Sequence, residues 1–418
     1  LDLKSSQISA ATDAVRTLLR FEHPADSVLR GWFREHPAMG ARDRAFIAET
    51  AFGVLRHLRR LQHLAPDRAP RKLVLGWLAI VQKRALRSME ELLSREEAEW
   101  LGSVKADQEA LPPAVAMSLP DWIYDRLAAR FPAEELAVLG RSMLEPAPLD
   151  LRVNTLLTKR EDALAALRAS EIEARPCSLS PAGIRLKDKP QLEKHALFVG
   201  GHVEVQDEGS QLVAMLVDAR RGQMVVDFCA GAGGKTLALG ALMHSAGRLY
   251  AFDTSERRLT NLKPRLKRSG LSNVHPQLID SENDIRVKRL AGKIDRVLVD
   301  APCSGTGTLR RNPDIKWRQQ ETAIAELSAK QRSILSAAAR LPKIGGRLIY
   351  ATCSLLAEEN EAVVEAFLAE RPNWTVVDAA EMLRQAGVPF AEVGPYVHLL
   401  PHRDDTDGFF VAVLERTA

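Results

Sequence analysis

Apolar residues recur at helical spacing through residues 1–135: Val15-Leu18-Leu19, then Val28-Leu29-Trp32-Phe33, then Phe46-Ile47 through Phe52, Leu55, Leu58 and Leu61. Each such series lays one apolar stripe along a helix and leaves its other side polar. Breaks are expected at Glu22-His23-Pro24, His36-Pro37 and Ala65-Pro66, where proline cannot continue a helix. No strand alternation and no internal repeat is visible there, so residues 1–135 are expected to form an all-α domain. Pro112-Pro113 and Leu119-Pro120 suggest a linker or domain edge.

The pattern then changes twice. Leu149-Asp150-Leu151-Arg152-Val153-Asn154 alternates like a half-buried strand. A helix is expected over Glu161 to Ala169, with short strands at Ile184-Arg185-Leu186 and Val203-Glu204-Val205. Residues 136–205 therefore read as a small α+β unit. From Gln206 to the end, 206–418, strands alternate with helices, as in an α/β domain with a parallel sheet. The expected strands are Met224–Phe228, Arg248–Asp253, Val274–Asp280, Arg296–Asp300, Arg347–Thr352 and Gly408–Leu414.

Composition narrows the class without choosing a chemistry. The 418 residues suggest two or three domains, and 46% hydrophobic with 27% charged residues is ordinary globular content. No apolar run approaches the roughly 18 residues of a membrane span, so no membrane partner is expected. Leu1-Asp2-Leu3-Lys4 lacks the layout of a secretory signal, and the absence of Met suggests a trimmed start. Four cysteines (Cys177, Cys229, Cys303, Cys353) make no disulfide framework and suit a reducing cytoplasm. The net charge of +4 is compatible with nucleic acid. Arginines gather at Arg42, Arg44, Arg56, Arg59 and Arg60, and a second basic run spans Arg257 to Arg268. A third group, Arg310, Arg311, Lys316 and Arg318, supplies candidate RNA-phosphate contacts, with Trp317 as a candidate base-stacking ring.

The chemistry concentrates at strand ends. Asp300-Ala301-Pro302-Cys303-Ser304-Gly305-Thr306-Gly307-Thr308 follows one apolar run, and Thr352-Cys353-Ser354 follows another about fifty positions on. Ligands of open α/β sheets bind beyond the carboxyl ends of strands. If the two runs are neighbouring strands, both thiols open into one cleft. Between the first two expected strands, Cys229-Ala230-Gly231-Ala232-Gly233-Gly234-Lys235 provides small residues and a helix N-terminus for a nucleotide-like ligand. It is not a phosphate-binding loop of the G-x-x-x-x-G-K-[ST] kind, because Cys229 stands where that motif needs glycine. Asp253, Asp280 and Asp300 each close an expected strand, as acceptors for hydroxyls or an amine. Residue chemistry alone leaves a dinucleotide and S-adenosylmethionine both open.

These motifs, with Asp253 and Arg258, Arg310 to Trp317, Arg152-Val-Asn154-Thr and Gln206-Asp-Glu-Gly-Ser210-Gln, resemble the Sun/RsmB-type RNA cytosine-5 methyltransferases of the NOL1/NOP2/Sun family. The resemblance covers roughly residues 145–418. Asp43-Arg44 with Phe52-Gly53-Val54-Leu55-Arg56 is similar to a NusB-like RNA-binding domain. One departure is Gly231-Ala232 before Gly233-Gly234-Lys235, where the family usually has Ala-Pro. The resemblance implies a Rossmann-like S-adenosylmethionine-dependent catalytic domain. It implies Cys353 as nucleophile, Cys303 as helper in product release, and Asp300 as a partner for the base. Cofactor contacts would come from Cys229 to Lys235, Asp253, Arg258, Asp280, Asp300 and Pro302. RNA contacts would come from Arg152, Asn154 and the Arg310–Arg318 group. It implies no metal, a monomer, and an RNA substrate, most naturally small-subunit ribosomal RNA. Transfer RNA, a nucleotide-dependent redox enzyme and a non-catalytic RNA assembly factor are the alternatives.

Overall fold

The computed structural model describes residues 3–65, 67–106 and 110–418. Leu1 and Asp2 at the start, and Pro66 in the third expected break, lie outside the described residues. The chain divides into two compact units, one comprising Leu1–Pro146 with Thr308–Glu321, the other Ala147–Gly307 with Thr322–Ala418.

The first unit is helical. Helices Ser5–Leu18, Ala25–Glu35 and Ala41–Arg56 follow the apolar stripes, and the prolines at 24 and 37 lie at the breaks between them. Ile8, Val15, Leu29, Trp32, Ile47, Val54 and Leu61 meet in its core. Gly53 is required there, because a Cβ would lie 2.1 Å from the Trp77 indole nitrogen. Pro112-Pro113 and Leu119-Pro120 both fall within the first unit, at the starts of helices. Pro113 opens a short helix and Pro120 caps the helix Asp121–Arg130. The helical run continues past residue 135 through Ala133–Met143, whose Leu136, Leu139 and Met143 are buried.

The second unit contains two sheets among the described residues. The smaller joins β1 (Leu149–Val153), β2 (Ala174–Pro176), β3 (Gly183–Leu186) and β4 (Val203–Val205) in the order β2-β3-β1-β4. Helix Arg160–Ala169 packs on it through Ala163, Leu164 and Leu167. Buried Arg185 on β3 ties this sheet to other parts of the unit. Its guanidinium lies 2.7 Å from Asp150 and 3.3 Å from Glu208, and also pairs with Asp405.

The larger sheet contains β5 (Met224–Asp227), β6 (Arg248–Asp253), β7 (Val274–Leu278), β8 (Ile294–Asp300), β9 (Pro342–Thr352), β10 (Trp374–Val377), β11 (Val397–Leu399) and β12 (Phe409–Arg416). The order is β10-β12-β9-β8-β5-β6-β7, with β11 beside β12. Strands β5 to β9 run parallel; β10, β11 and β12 add antiparallel pairings. β10 and β11 are too short, and too little alternating, to stand out in the sequence. Both faces of the sheet are covered, so the central strands are apolar throughout. On β8 and β9, Leu298, Ile349 and Ala351 enter one core, while Val297, Val299, Leu348 and Tyr350 enter the other. The chain adds β6 and β7 on one side of β5, then β8 and β9 on the other. That reversal opens a crevice at the carboxyl ends of β5 and β8.

Candidate active site

Two register pairs of β8 and β9 set the frame. Asp300 is in register with Ala351, and Val299 with Tyr350. Cys303 and Cys353 follow the Asp300–Ala351 pair by three and two positions, so register brings the two cysteine loops side by side. Their sulfurs lie 3.3 Å apart, both half-buried and both free thiols. A hydrogen bond shared with the Cys353 sulfur and, behind it, withdrawal from water hold the Cys303 thiol well above its ordinary range. Two glycines make room for the loops. The Gly307 N–H donates to the Cys353 carbonyl at 2.9 Å, and its own carbonyl accepts from Gly408 at 2.8 Å. A Cβ on Gly307 would sit 2.2 Å from the Gly408 carbonyl oxygen, so only glycine fits.

A second pair stands beside the thiols. Lys235, just inside the helix Gly234–Leu242, places its ammonium 2.8 Å from the Asp300 carboxylate and 5.3 Å from the Phe409 ring centre. Burial alone would lower the Lys235 pKa, but Asp300 and the Cys353 sulfur raise it above the ordinary lysine value. Cys229 is also close to this group. Burial and the carboxylates of Asp227, Asp300 and Asp253 push its thiol far up, which suits a protonated packing residue rather than a nucleophile.

Comparison with known proteins decides the lineage. The family "16S rRNA methyltransferase RsmB/F" matches residues 214–415, and a ferredoxin-like domain of RsmF/B-like methyltransferases matches residues 119–193. The ribosomal RNA small subunit methyltransferase B of Sodalis glossinidius is 32% identical over 403 residues, covering 90% of each chain. The chain belongs to the RsmB/F methyltransferase family. Its fold matches the crystallised protein PH0851, 27% identical with a TM-score of 0.81 over 100% of both chains. NSun6 from Pyrococcus horikoshii, solved with SFG, is 20% identical with a TM-score of 0.64, over 72% of this chain and 98% of that one. RsmB/F enzymes are RNA methyltransferases that depend on S-adenosylmethionine, and so is this chain.

The loop after β5 suits that cofactor. Gly231 and Gly233 have φ of +57° and +84°, a left-handed conformation that favours glycine. A Cβ on Gly231 would meet nothing within 4 Å, so backbone there faces open space; on Gly233 it would strike Leu262 at 2.1 Å. Asp253 ends β6 and is buried. Its carboxylate accepts from the N–H groups of Gly231 at 2.8 Å and Ser255 at 2.7 Å, and Arg258 lies 3.9 Å away. Ala230 is buried and Ala232 exposed, its carbonyl accepting from Arg265 at 2.7 Å. Gly234 is half-buried and Pro302 is exposed. Asp280 departs from expectation. β7 stops at Leu278, so Asp280 stands beyond the strand, exposed, with its N–H donating to Asp284.

The expected RNA contacts fare differently. Arg152 and Asn154 are buried, at 5% and 3% exposure. Arg152 donates to Gln206 at 2.6 Å, and Asn154 donates to the carbonyls of Gly201 and Ser269. They bind the small sheet to its surroundings. Lys316 is buried at 2% exposure and donates to the Arg56 carbonyl at 2.8 Å. Trp317 donates to the Leu55 carbonyl at 2.8 Å, packs on the helical core and stays half-buried. Arg310 is buried and its carbonyl accepts from Arg56. Arg311 and Arg318 remain partly exposed, Arg318 pairing with Asp314 at 3.4 Å. The basic run 257–268 is partly internal as well: Arg265 and Arg268 both hold buried Glu204. Local sequence cannot separate a solvated cation from one folded inward.

No motif in the sequence assigns a role to Glu359, Gln331, Ser304 or Ser354. They form a buried network behind the two thiols. The acidic run Glu358-Glu359-Asn360-Glu361, directly after the second cysteine motif, was the available signal.

Proposed function

We propose that the chain methylates carbon 5 of a cytosine in RNA, with small-subunit ribosomal RNA as the substrate, through a covalent bond to Cys353. The observation that carries this reading is the contact of two free thiols, 3.3 Å apart, beside the Lys235–Asp300 pair. A redox pair is disfavoured by the company these thiols keep in an RNA methyltransferase family. The helical unit, NusB-like by its sequence, would add RNA affinity.

Carbon 5 of cytosine is a weak nucleophile. The Cys353 thiolate adds to carbon 6, and the electron pair of the ring double bond shifts away from carbon 6 toward carbon 5 and ring nitrogen 3. Asp300, taking a proton from the Lys235 ammonium beside it, donates that proton to a hydrogen bond with nitrogen 3 and so stabilises the charge. S-adenosylmethionine, held by the Gly231–Lys235 loop, Asp253 and Arg258, supplies the methyl group when bound. Asp280 and Pro302 would contribute at the edge of that site. Cys303, once its own proton has passed to water, then removes the carbon 5 proton. That electron pair restores the ring double bond, and the carbon–sulfur pair returns to Cys353. The order of events has an internal logic. The leading cause that keeps Cys303 protonated is the hydrogen bond its S–H makes to the Cys353 sulfur, and that bond is lost once Cys353 is joined to the base. The target base must leave its stack or lie in a loop to reach the crevice.

A denaturing gel of enzyme with RNA and S-adenosylmethionine tests the reading. Cys303→Ala is expected to accumulate a covalent RNA–protein band, and Cys353→Ala to give neither band nor 5-methylcytosine by bisulfite sequencing. A band from the Cys353 variant alone would exchange the two roles, and methylation elsewhere than carbon 5 would end the proposal.

A further inference from the structure

Glu359 has no part in the chemistry above, yet its carboxylate is fully buried and joins both cysteine loops. We propose that Glu359 is a positioning residue, tying the residue after Cys303 to the residue after Cys353 and so setting the contact between the two sulfurs. This rests on the covalent reading given above.

The carboxylate takes hydrogen bonds from four donors. The Ser304 N–H donates to Oε1 at 2.8 Å and Gln331 Nε2 donates to the same oxygen at 3.0 Å. The hydroxyls of Ser304 and Ser354 donate to Oε2, each at 2.5 Å. An ionised carboxylate offers about four lone-pair sites, so this group is satisfied by neutral donors alone. A buried carboxylate is costly unless hydrogen-bonded, and removing donors would expose that cost. The energy of the arrangement therefore depends on both loops staying in place.

The supporting bonds point the same way. Gln331 also donates to the Pro302 carbonyl at 2.9 Å, so the network grips the residue before Cys303 as well as the one after it. The Tyr350 hydroxyl, on β9, donates to the Glu359 carbonyl at 2.6 Å and fixes its backbone to the sheet. Asn360 donates to the Ser354 carbonyl at 2.9 Å and accepts from Thr352. Cys353 thus lies between two residues anchored on the Glu359-Asn360 pair. Register brings β8 and β9 side by side, but the loops beyond them are free of the ladder. Glu359 replaces the ladder where it ends.

The test combines kinetics with thiol reactivity. Glu359→Ala is expected to lower kcat about 100-fold, the size of effect a misplacement near 1 Å produces. S-adenosylmethionine affinity should stay within about twofold, since the cofactor loop is untouched. Alkylation of Cys303 by iodoacetamide, followed by peptide mass spectrometry across pH, should move to lower pH. The largest cause of its raised pKa is the hydrogen bond it shares with Cys353, with burial, Cys353 charge and Glu359 charge behind it. A residue needed only for folding would reduce the folded fraction without moving that profile in the folded molecules. Glu359→Gln keeps one acceptor oxygen and should restore part of kcat. If Glu359→Ala does not fold, the Ser304→Ala/Ser354→Ala double variant removes the same clasp and is read identically. An unmoved Cys303 profile with kcat within threefold, in either variant, overturns the proposal. Cys353→Ala assayed alongside keeps the two readings apart. Methylation by that variant would sink the covalent mechanism, whereas the alkylation profile reports on Glu359 alone.

Discussion

The Lys235 ammonium lies 2.8 Å from the Asp300 carboxylate, linking the first helix after β5 to the end of β8. This pair joins the cofactor loop to the cysteine strand, and a base held by Asp300 would sense Lys235 through it. Lys235→Met is expected to reduce single-turnover methylation by about 100-fold or more, the usual cost of losing one preorganised charge at a reacting centre. Asp300→Asn should do the same. The double variant should cost little more than either alone, because groups acting as a unit are not additive. Single-turnover rates with labelled S-adenosylmethionine measure all three. Additive losses would show that the pair does not act as one device.

Gly231 and Gly233 should respond differently to alanine. At Gly231 a Cβ meets open space, so the cost to folding is the left-handed strain of about 1–2 kcal/mol. At Gly233 the Cβ would also strike Leu262, and a further loss of stability follows. If the loop cradles the cofactor, Gly231→Ala should weaken S-adenosylmethionine binding at least tenfold while folding survives. Calorimetric titration and thermal unfolding separate the two effects. Unchanged affinity would remove Gly231 from the cofactor site.

Asp227, fully buried at the end of β5, has its pKa pushed up to about 7. Burial is the main cause; the charges of Asp300 and Asp253 raise it further, and the Thr236 hydroxyl and Lys235 act against them. The native state therefore keeps this proton between about pH 4 and pH 7 while the unfolded chain releases it. Stability is fully present below that window, falls as pH rises through it, and levels off above. Asp227→Asn should remove this component, which is on the order of 2 kcal/mol between pH 5 and pH 8. Urea midpoints of both proteins at the two pH values provide the check. Parallel midpoints would mean that Asp227 does not carry the slope.

Arg185 is 5% exposed and faces Asp150 and Glu208, at 1% and 0% exposure. Removing one partner of a buried ion cluster leaves charge uncompensated. Arg185→Met should destabilise the second unit by about 3–5 kcal/mol. Denaturant unfolding would measure it, and a loss under about 1 kcal/mol would contradict the stated role.

Lys316→Met should leave RNA affinity and its salt dependence unchanged, because the lysine is folded inward onto the Arg56 carbonyl. Filter binding at several salt concentrations decides this. A shallower salt slope would return Lys316 to the RNA surface.

Much of the second unit was legible in the sequence. Strands buried on both faces read as unbroken apolar runs, so β5, β6, β8, β9 and β12 stood out. Cys303 and Cys353 were legible because each follows such a run. β10 and β11 were not, since short strands get their stability from neighbours rather than from their own pattern. The helical unit was traced by periodicity, but its extent past residue 135 and its inclusion of Thr308–Glu321 depend on contacts distant along the chain.

The sequence by itself determined which residues carry reactive groups and which segments bury apolar faces, because both are properties of local residue type and spacing. Only the tertiary structure decided which charges face inward. Arg152 and Lys316 read as candidate RNA contacts, yet each is buried with partners far away in the chain, as is Glu204. The same holds for Glu359, whose meaning lies in two serines about fifty and five positions before it. Side-chain direction and long-range pairing come from packing, and packing is not written in any local window.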